Sequence, residues 1–142
     1  MILQLAAHTA FTAGNSTLAL QRYQAGSETH PGYRPLQYGY ISALLASSRS
    51  GDALKRVDKQ LALYPLDRRL WRLAAQAHAQ LGHRLLGHRA QAEAAALSGN
   101  LIAAIEYITL GIKAADGSFY DLSAAEARRR EWQAIEKSQR KS

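Results

Sequence analysis

The sequence contains no cysteine. That excludes a disulfide framework, a thiolate nucleophile and a thiolate metal site, and it permits an oxidising compartment without implying one. Proline occurs 3 times, and Val, Ile and Thr together supply 13 of the 142 residues. So few β-branched residues argue against a β-sandwich or barrel. No apolar run reaches the roughly 18 residues that a membrane span needs. Residues 1–13 are apolar, but no basic region precedes them, and Gln4, His8, Thr9 and Thr12 interrupt them. They do not read as a signal peptide. Met1 reads as a start placed before an internal segment, so the chain is expected to be a piece of a longer protein.

What is abundant is alanine (27) and leucine (20), a third of the chain. That mix favours helix. Apolar residues at 47% and charged residues at 20% suit a folded domain. The formal charge is +7. It divides as 6 basic and 3 acidic side chains over 1–66, 6 and 4 over 67–118, and 6 and 4 over 119–142. The excess is spread evenly, and Arg128-Arg129-Arg130 is the only tight cluster. A solvated helical face and tail explains this better than a nucleic-acid footprint.

A shift of 34 residues aligns Pro31 with Pro65, Ala19 with Ala53, Leu20 with Leu54 and Tyr23 with Val57. Thirty-four is the period of the tetratricopeptide repeat (TPR), a helix–turn–helix unit. The first repeat covers about 1–33, with Ala7 and Ala10 in its first helix, a Gly14-Asn15 turn, and Gly26 late in its second helix. The second covers 34–67 and closes at Pro65. The third, about 68–100, has Trp71, Ala74-Ala75 and His78 before a turn at Gly82, but Gly87-His88 where an Ala-plus-apolar pair belongs. Half a period later, Gly99-Asn100 opens a further TPR-like turn followed by Ala104-Ile105-Glu106.

Ala19, Ala53, Ala75, Ala92 and Ala104 are the expected small residues at helix crossings. Asn15, Ser16 and Ser50 are expected helix caps, and Ser123 with Glu126 reads as a capping box. The expectation is a single domain over 1–142. It is all-α, a TPR-type right-handed superhelix of about eight antiparallel helices. These lie near 1–13, 16–28, 36–48, 51–63, 67–81, 84–98, 101–114 and 122–138. The seventh is an extra helix, and the last is an amphipathic cap with Ala125, Arg128, Trp132 and Ile135 on one face. Residues after Lys137 are expected to fray.

No residue pattern supports catalysis. His78, His83 and His88 are spaced by five, which places them on different helix faces or helices, whereas metal pairs on a helix need i, i+3 or i+4. H-E-x-x-H, G-x-S-x-G, P-loop and G-x-G-x-x-G motifs are absent. No catalytic or metal-binding residue and no cofactor are assigned.

A concave groove remains, because the first helix of each TPR lines the inner surface of the stack. The register assigns to it Gln4, His8, Phe11 and Thr12 from the first repeat. The second contributes Tyr38, Ser42 and Leu45. The third contributes Arg69, Arg72, Gln76 and Gln80. Aromatic, amide and Arg side chains suit a protein or peptide ligand. The alternative for Phe11, Tyr38 and Leu45 is simple packing between repeats. The set is unlike the Lys/Asn clamp of chaperone-binding TPRs, since Gln4 and His8 stand where those residues belong.

The stretch from Leu70 to Glu131 resembles the C-terminal region of bacterial BepA-type periplasmic zinc metallopeptidases. The residues carrying the likeness are Trp71 to Gly82, Ala92 to Glu106, Phe119-Tyr120 and Glu126 to Arg130. The resemblance implies a periplasmic location and a parent chain whose H-E-x-x-H protease domain holds zinc. It also implies a TPR domain that serves outer-membrane protein quality control, engaging substrate or the assembly machinery and docking on the protease. A stand-alone TPR adaptor is the alternative. A nucleic-acid or membrane-surface binder using Arg128–Arg130 is the third reading.

Overall fold

The period of the apolar positions sets the architecture. The computed structural model describes residues 16–141 and forms seven α-helices, with no strand among the described residues. They are α1 Ser16–Thr29, α2 Arg34–Ala46, α3 Ser50–Leu63, α4 Arg68–Gln80, α5 Arg84–Leu97, α6 Leu101–Ala114 and α7 Phe119–Lys141. The expected helix over 1–13, the Gly14-Asn15 turn and the Asn15 and Ser16 side-chain caps lie outside what is described. Connections of three or four residues fold each helix back on the one before it, and every consecutive pair packs together.

The turns show why the repeat is regular. After α2, α4 and α5, a residue with positive φ stands just past the helix: Ser48 (59°), Gly82 (76°) and Gly99 (82°). Each turn closes the same way. The next residue's N–H reaches back to a carbonyl five residues earlier: Arg49 to Leu44 (2.8 Å), His83 to His78 (2.9 Å) and Asn100 to Ala95 (3.0 Å). This is the Schellman closure, which favours glycine at the left-handed position. Pro31 and Pro65 follow α1 and α3 and prevent those helices from continuing.

Alanines do set the helix crossings. Ala19, Ala53, Ala92 and Ala104 are all fully buried. Ala75 differs and is only partly buried. The stripe that α4 turns inward is Leu70, Leu73, Ala74 and Ala77, at i, i+3, i+4 and i+7, which leaves Ala75 at its margin. One core joins α2, α3 and α4 through Ile41, Leu44, Leu45, Val57, Leu70 and Leu73. A second joins α5, α6 and α7 through Leu85, Ala92, Ala104, Ile108, Ala125 and Trp132.

The irregular third repeat has Gly87 where an alanine is expected. A Cβ there would lie 3.5 Å from the Cβ of His78 and 3.8 Å from the Ala75 carbonyl, ordinary van der Waals distances, so an alanine would also fit between α4 and α5. Beyond that point the stack changes. α2 packs side by side with α4, but α4 and α6 do not meet, and both lean on α5. The N-terminus of α5 is capped from a distance by Asp116, in the α6–α7 connection. Its carboxylate accepts from the N–H groups of Arg84 (2.6 Å) and Leu85 (2.8 Å).

Three local expectations need correction. Ser50 does not cap α3: the N-cap position is Arg49, and the Ser50 hydroxyl donates to Gln80 Oε1. Ser123 and Glu126 form no capping box, because α7 starts a turn earlier. There the Ser118 hydroxyl accepts from the Asp121 N–H at 3.0 Å. The helix also continues to Lys141, where Arg140 pairs with Glu136 at 2.9 Å, instead of fraying after Lys137.

Ser48 and Gly82 occupy equivalent left-handed positions, but only Gly82 is free of a Cβ penalty. Gly82→Ala is expected to cost about 1 kcal/mol. Ser48→Gly is expected to be neutral or to stabilise by up to about 0.5 kcal/mol, because relief of strain is partly offset by the freer unfolded chain. Urea melts of the two variants check this, and a loss of stability in Ser48→Gly contradicts it.

Candidate binding groove

The side-by-side packing of α2 and α4 brings two helical faces to one concavity. Arg34, Tyr38 and Ser42 follow one another at i, i+4 and i+8 on α2, and Arg69, Arg72 and Gln76 at i, i+3 and i+7 on α4. They line a groove of about 1080 Å³ together with Asp67, Arg68 and a rim of Pro35, Leu66 and Leu97. Of the expected groove residues, Tyr38, Ser42, Arg69, Arg72 and Gln76 come together here.

Leu45 does not join them. It is 5% exposed and belongs to the core between α2, α3 and α4, because the turn of α2 that carries it faces α3. Gln80 also lies elsewhere, in a notch with Ser48, Arg49 and Lys55, held there by the Ser50 hydroxyl. Gln4, His8, Phe11 and Thr12 fall outside the described residues.

Asp67 organises the groove. It is the N-cap of α4 and accepts from the N–H groups of Arg69 (2.9 Å) and Leu70 (3.2 Å). Its other oxygen accepts from Arg34 at 3.1 Å and from the Tyr38 hydroxyl. The carboxylate side chain is 6% exposed. Burial alone works to raise its pKa, but the hydrogen bonds from Tyr38, Leu70, Arg34 and Arg69 outweigh that and hold it below the usual carboxylate range. Arg34 also covers the Tyr64 ring at 4.3 Å, and Arg69 covers the Tyr38 ring at 4.7 Å. Trp71 closes the preceding loop by donating to the Pro65 carbonyl at 2.9 Å.

Asp67, Arg34 and Arg68 were not among the residues expected from the sequence. The available signal was Asp67 itself, a capping residue directly before an apolar-periodic segment and just after Pro65. The 34-residue alignment obscured it by pairing Asp67 with Tyr33.

Where α4 and α6 part, a second notch of about 470 Å³ continues the groove through Arg72 and Gln76. Its walls include Ala75 and Ala79 of α4, Ala94 and Ala95 of α5, and Tyr107 of α6. Beyond Arg72 its lining is uncharged, four alanines with Gln76, Gln91, Ser98 and Tyr107.

The histidines do not spread out as their spacing suggested. The left-handed turn at Gly82 folds His83 back on His78, so their Nδ1 atoms lie 3.1 Å apart with ring centroids at 5.3 Å. One ring nitrogen donates and the other accepts. Burial, and then the neighbouring His83, lower the pKa of His78 against an opposing pull from Asp121. His88 instead pairs with Gln91 at 3.0 Å. Among the described residues, no group of three or more His, Asp or Glu is placed to hold a metal ion.

The arginine cluster at 128–130 is tied into the fold. Arg128 forms a two-pronged pair with Glu93, Nε at 3.0 Å and Nη2 at 2.9 Å. It also reaches Glu131 at 2.8 Å and lies 4.7 Å over the Trp132 ring. Arg129 donates to the Thr109 hydroxyl at 3.5 Å, and Arg130 is exposed.

The arrangement defines an all-α, TPR-type solenoid with a cationic groove on its inner face. No family model matches the sequence, and no curated protein matches it. Nine chains of known structure do match. One is MamA, residues 41 to the end, from Desulfovibrio magneticus RS-1, with a TM-score of 0.63 and 19% identity over 96% of this chain and 75% of that one. At that identity the likeness is one of fold.

Asp67→Asn is expected to lower stability by about 1 kcal/mol at pH 7. The ionised carboxylate has a depressed pKa, so its contribution is present above the ordinary carboxylate range and is lost as pH falls through the folded value. Thermal midpoints of wild type and variant should therefore converge as pH falls below the ordinary carboxylate range and through the lowered folded value. A constant gap over that fall contradicts the assignment. Arg128→Ala leaves Glu93, 7% exposed, without its main partner. The pair is partly open to water, so the expected loss is about 1–3 kcal/mol. Arg130→Ala should change the melting midpoint little.

Proposed function

We propose that this chain is a protein-interaction module that holds a segment of a partner protein in the groove between α2 and α4. The observation that carries this reading is the preorganised cationic surface. Tyr38, Arg34 and Arg69 are fixed by Asp67 and by ring stacking, while Arg72 stands in the groove with no carboxylate partner among the described residues. Sites held on helices by locked neighbours lose little freedom on binding. The engagement of Arg128 with Glu93 takes one of the three clustered arginines away from any nucleic-acid or membrane surface.

The finer assignment is a TPR region of a periplasmic zinc metallopeptidase acting in outer-membrane protein quality control. What supports it is the run of residues from Trp71 to Arg130 that resembles that family. On this reading zinc belongs to a protease domain in the parent polypeptide, and the groove receives a client, the assembly machinery or the protease itself. An H-E-x-x-H segment in the same reading frame upstream of Met1 is the expected outcome of sequencing the gene. A reading frame that opens at Met1 supports a stand-alone adaptor instead.

The module reading is tested with a photo-crosslinking amino acid at Gln76 and, as a control, at Lys137 on α7. A partner protein should be captured from Gln76 and not from Lys137. Its affinity for purified chain should fall about tenfold in Arg72→Ala, with helicity retained. Capture only from α7 moves the site to the C-terminal helix.

A further inference from the structure

The charges in the groove are unevenly matched. Four guanidiniums line it, those of Arg34, Arg68, Arg69 and Arg72, against the single carboxylate of Asp67. That carboxylate is spent on Arg34, Tyr38 and the α4 N-terminus. Arg68 reaches only the neutral Ser98 hydroxyl at 3.3 Å, and Arg69 only a ring face. Three like charges therefore share one concavity with no anion among the described residues to balance them. All are arginines, whose planar forks match carboxylates in a two-pronged geometry that lysine does not offer.

The basic stretch is short. It ends at Arg72, where the groove passes into the alanine-walled notch between α4 and α6, closed by Tyr107. A nucleic-acid strand needs a basic track along its backbone with aromatic platforms for its bases. Here the Tyr38 face is taken by Arg69, and beyond Arg72 the notch has no further charged lining residue. The geometry points to an extended acidic peptide segment as the ligand. Its Asp or Glu carboxylates pair with Arg69 and Arg72, and a neighbouring apolar side chain enters the notch lined by Ala79 and Ala95. This rests on the module reading above and adds the chemical class and bipartite order of the ligand.

The test uses fluorescein-labelled ten-residue peptides, blocked at both ends, and fluorescence anisotropy on the full chain. The probes carry Glu-Glu beside Leu, Gln-Gln beside Leu, Lys-Lys beside Leu, and Glu-Glu beside Ser, with a ten-nucleotide oligouridine as a further arm. The Glu-Glu-Leu peptide should bind at least about tenfold tighter than its Gln and Lys counterparts, and more weakly as salt rises. Arg72→Gln should abolish that preference while leaving the Gln-Gln peptide unaffected. Ala79→Leu, which adds bulk at an exposed position in the notch, should weaken the Leu peptide and spare the Ser peptide. Circular dichroism and melting midpoints confirm that both variants fold. Equal binding of Glu and Gln peptides through the groove overturns the acidic ligand and leaves the module reading standing. Tighter, Arg72-dependent binding of oligouridine overturns it in favour of nucleic acid. If no peptide or oligonucleotide binds, the acidic ligand is overturned, and capture at Gln76 decides the module reading.

Discussion

A single carboxylate links the repeat to the groove. Asp67 terminates the loop after Pro65, caps α4, and reaches across to Arg34 and Tyr38 on α2. The two helix faces that form the groove are thus set by one side chain that belongs to neither helix body. Its four partners, two backbone N–H groups, a phenol and a guanidinium, offset the cost of holding a charge at 6% exposure. Arg34 and Arg69 then stack on tyrosines in fixed positions. A groove built this way is rigid at its polar floor and open above it.

The helices were legible because two periods agree in this sequence. The 34-residue spacing of Pro31 and Pro65 and the i, i+3, i+4 recurrence of Leu and Ala mark the same boundaries, and six of the helix starts fall within about two residues of expectation. What the periods do not encode is rotation about a helix axis. Ala74 and Ala75 are both small, and only contact with Leu70 and Ala77 decides which turns inward. Leu45 was misplaced for the same reason, since its turn of α2 meets α3 as well as α4. Long-range caps are invisible to local patterns. Asp116 serves α5 from more than thirty residues away, so nothing near Arg84 announces it.

The departure in the third repeat repositions the end of the stack. α5 packs on α4, α6 follows α5, and α4 loses the neighbour that α2 provides on its other side. The second core must then be closed from outside, and α7 does so. Trp132 is buried against it while Arg128 clamps Glu93 of α5. Glu93 is 7% exposed, so the clamp holds only while Arg128 is there to balance it. The notch between α4 and α6 is a consequence of the same shift, because the alanines of α5 that another helix would cover remain open.

The net charge of +7 reads differently once its carriers are placed. In the densest run of the sequence, Arg128 is paired with the buried Glu93 and with Glu131, Arg129 reaches only the Thr109 hydroxyl, and Arg130 is exposed. Three of the groove arginines, at 68, 69 and 72, lie close together on α4, and Arg34 joins them because a helical repeat returns the same face to the same side every 34 residues. Spacing along the chain does not separate the two groups; what marks the groove is that Arg68, Arg69 and Arg72 share one concavity without a carboxylate partner among the described residues. Field strength in a concavity depends on which charges remain unpaired across its walls. By that measure the inner face of α2 and α4, and not the C-terminal helix, is where this molecule has most to gain from an anionic partner.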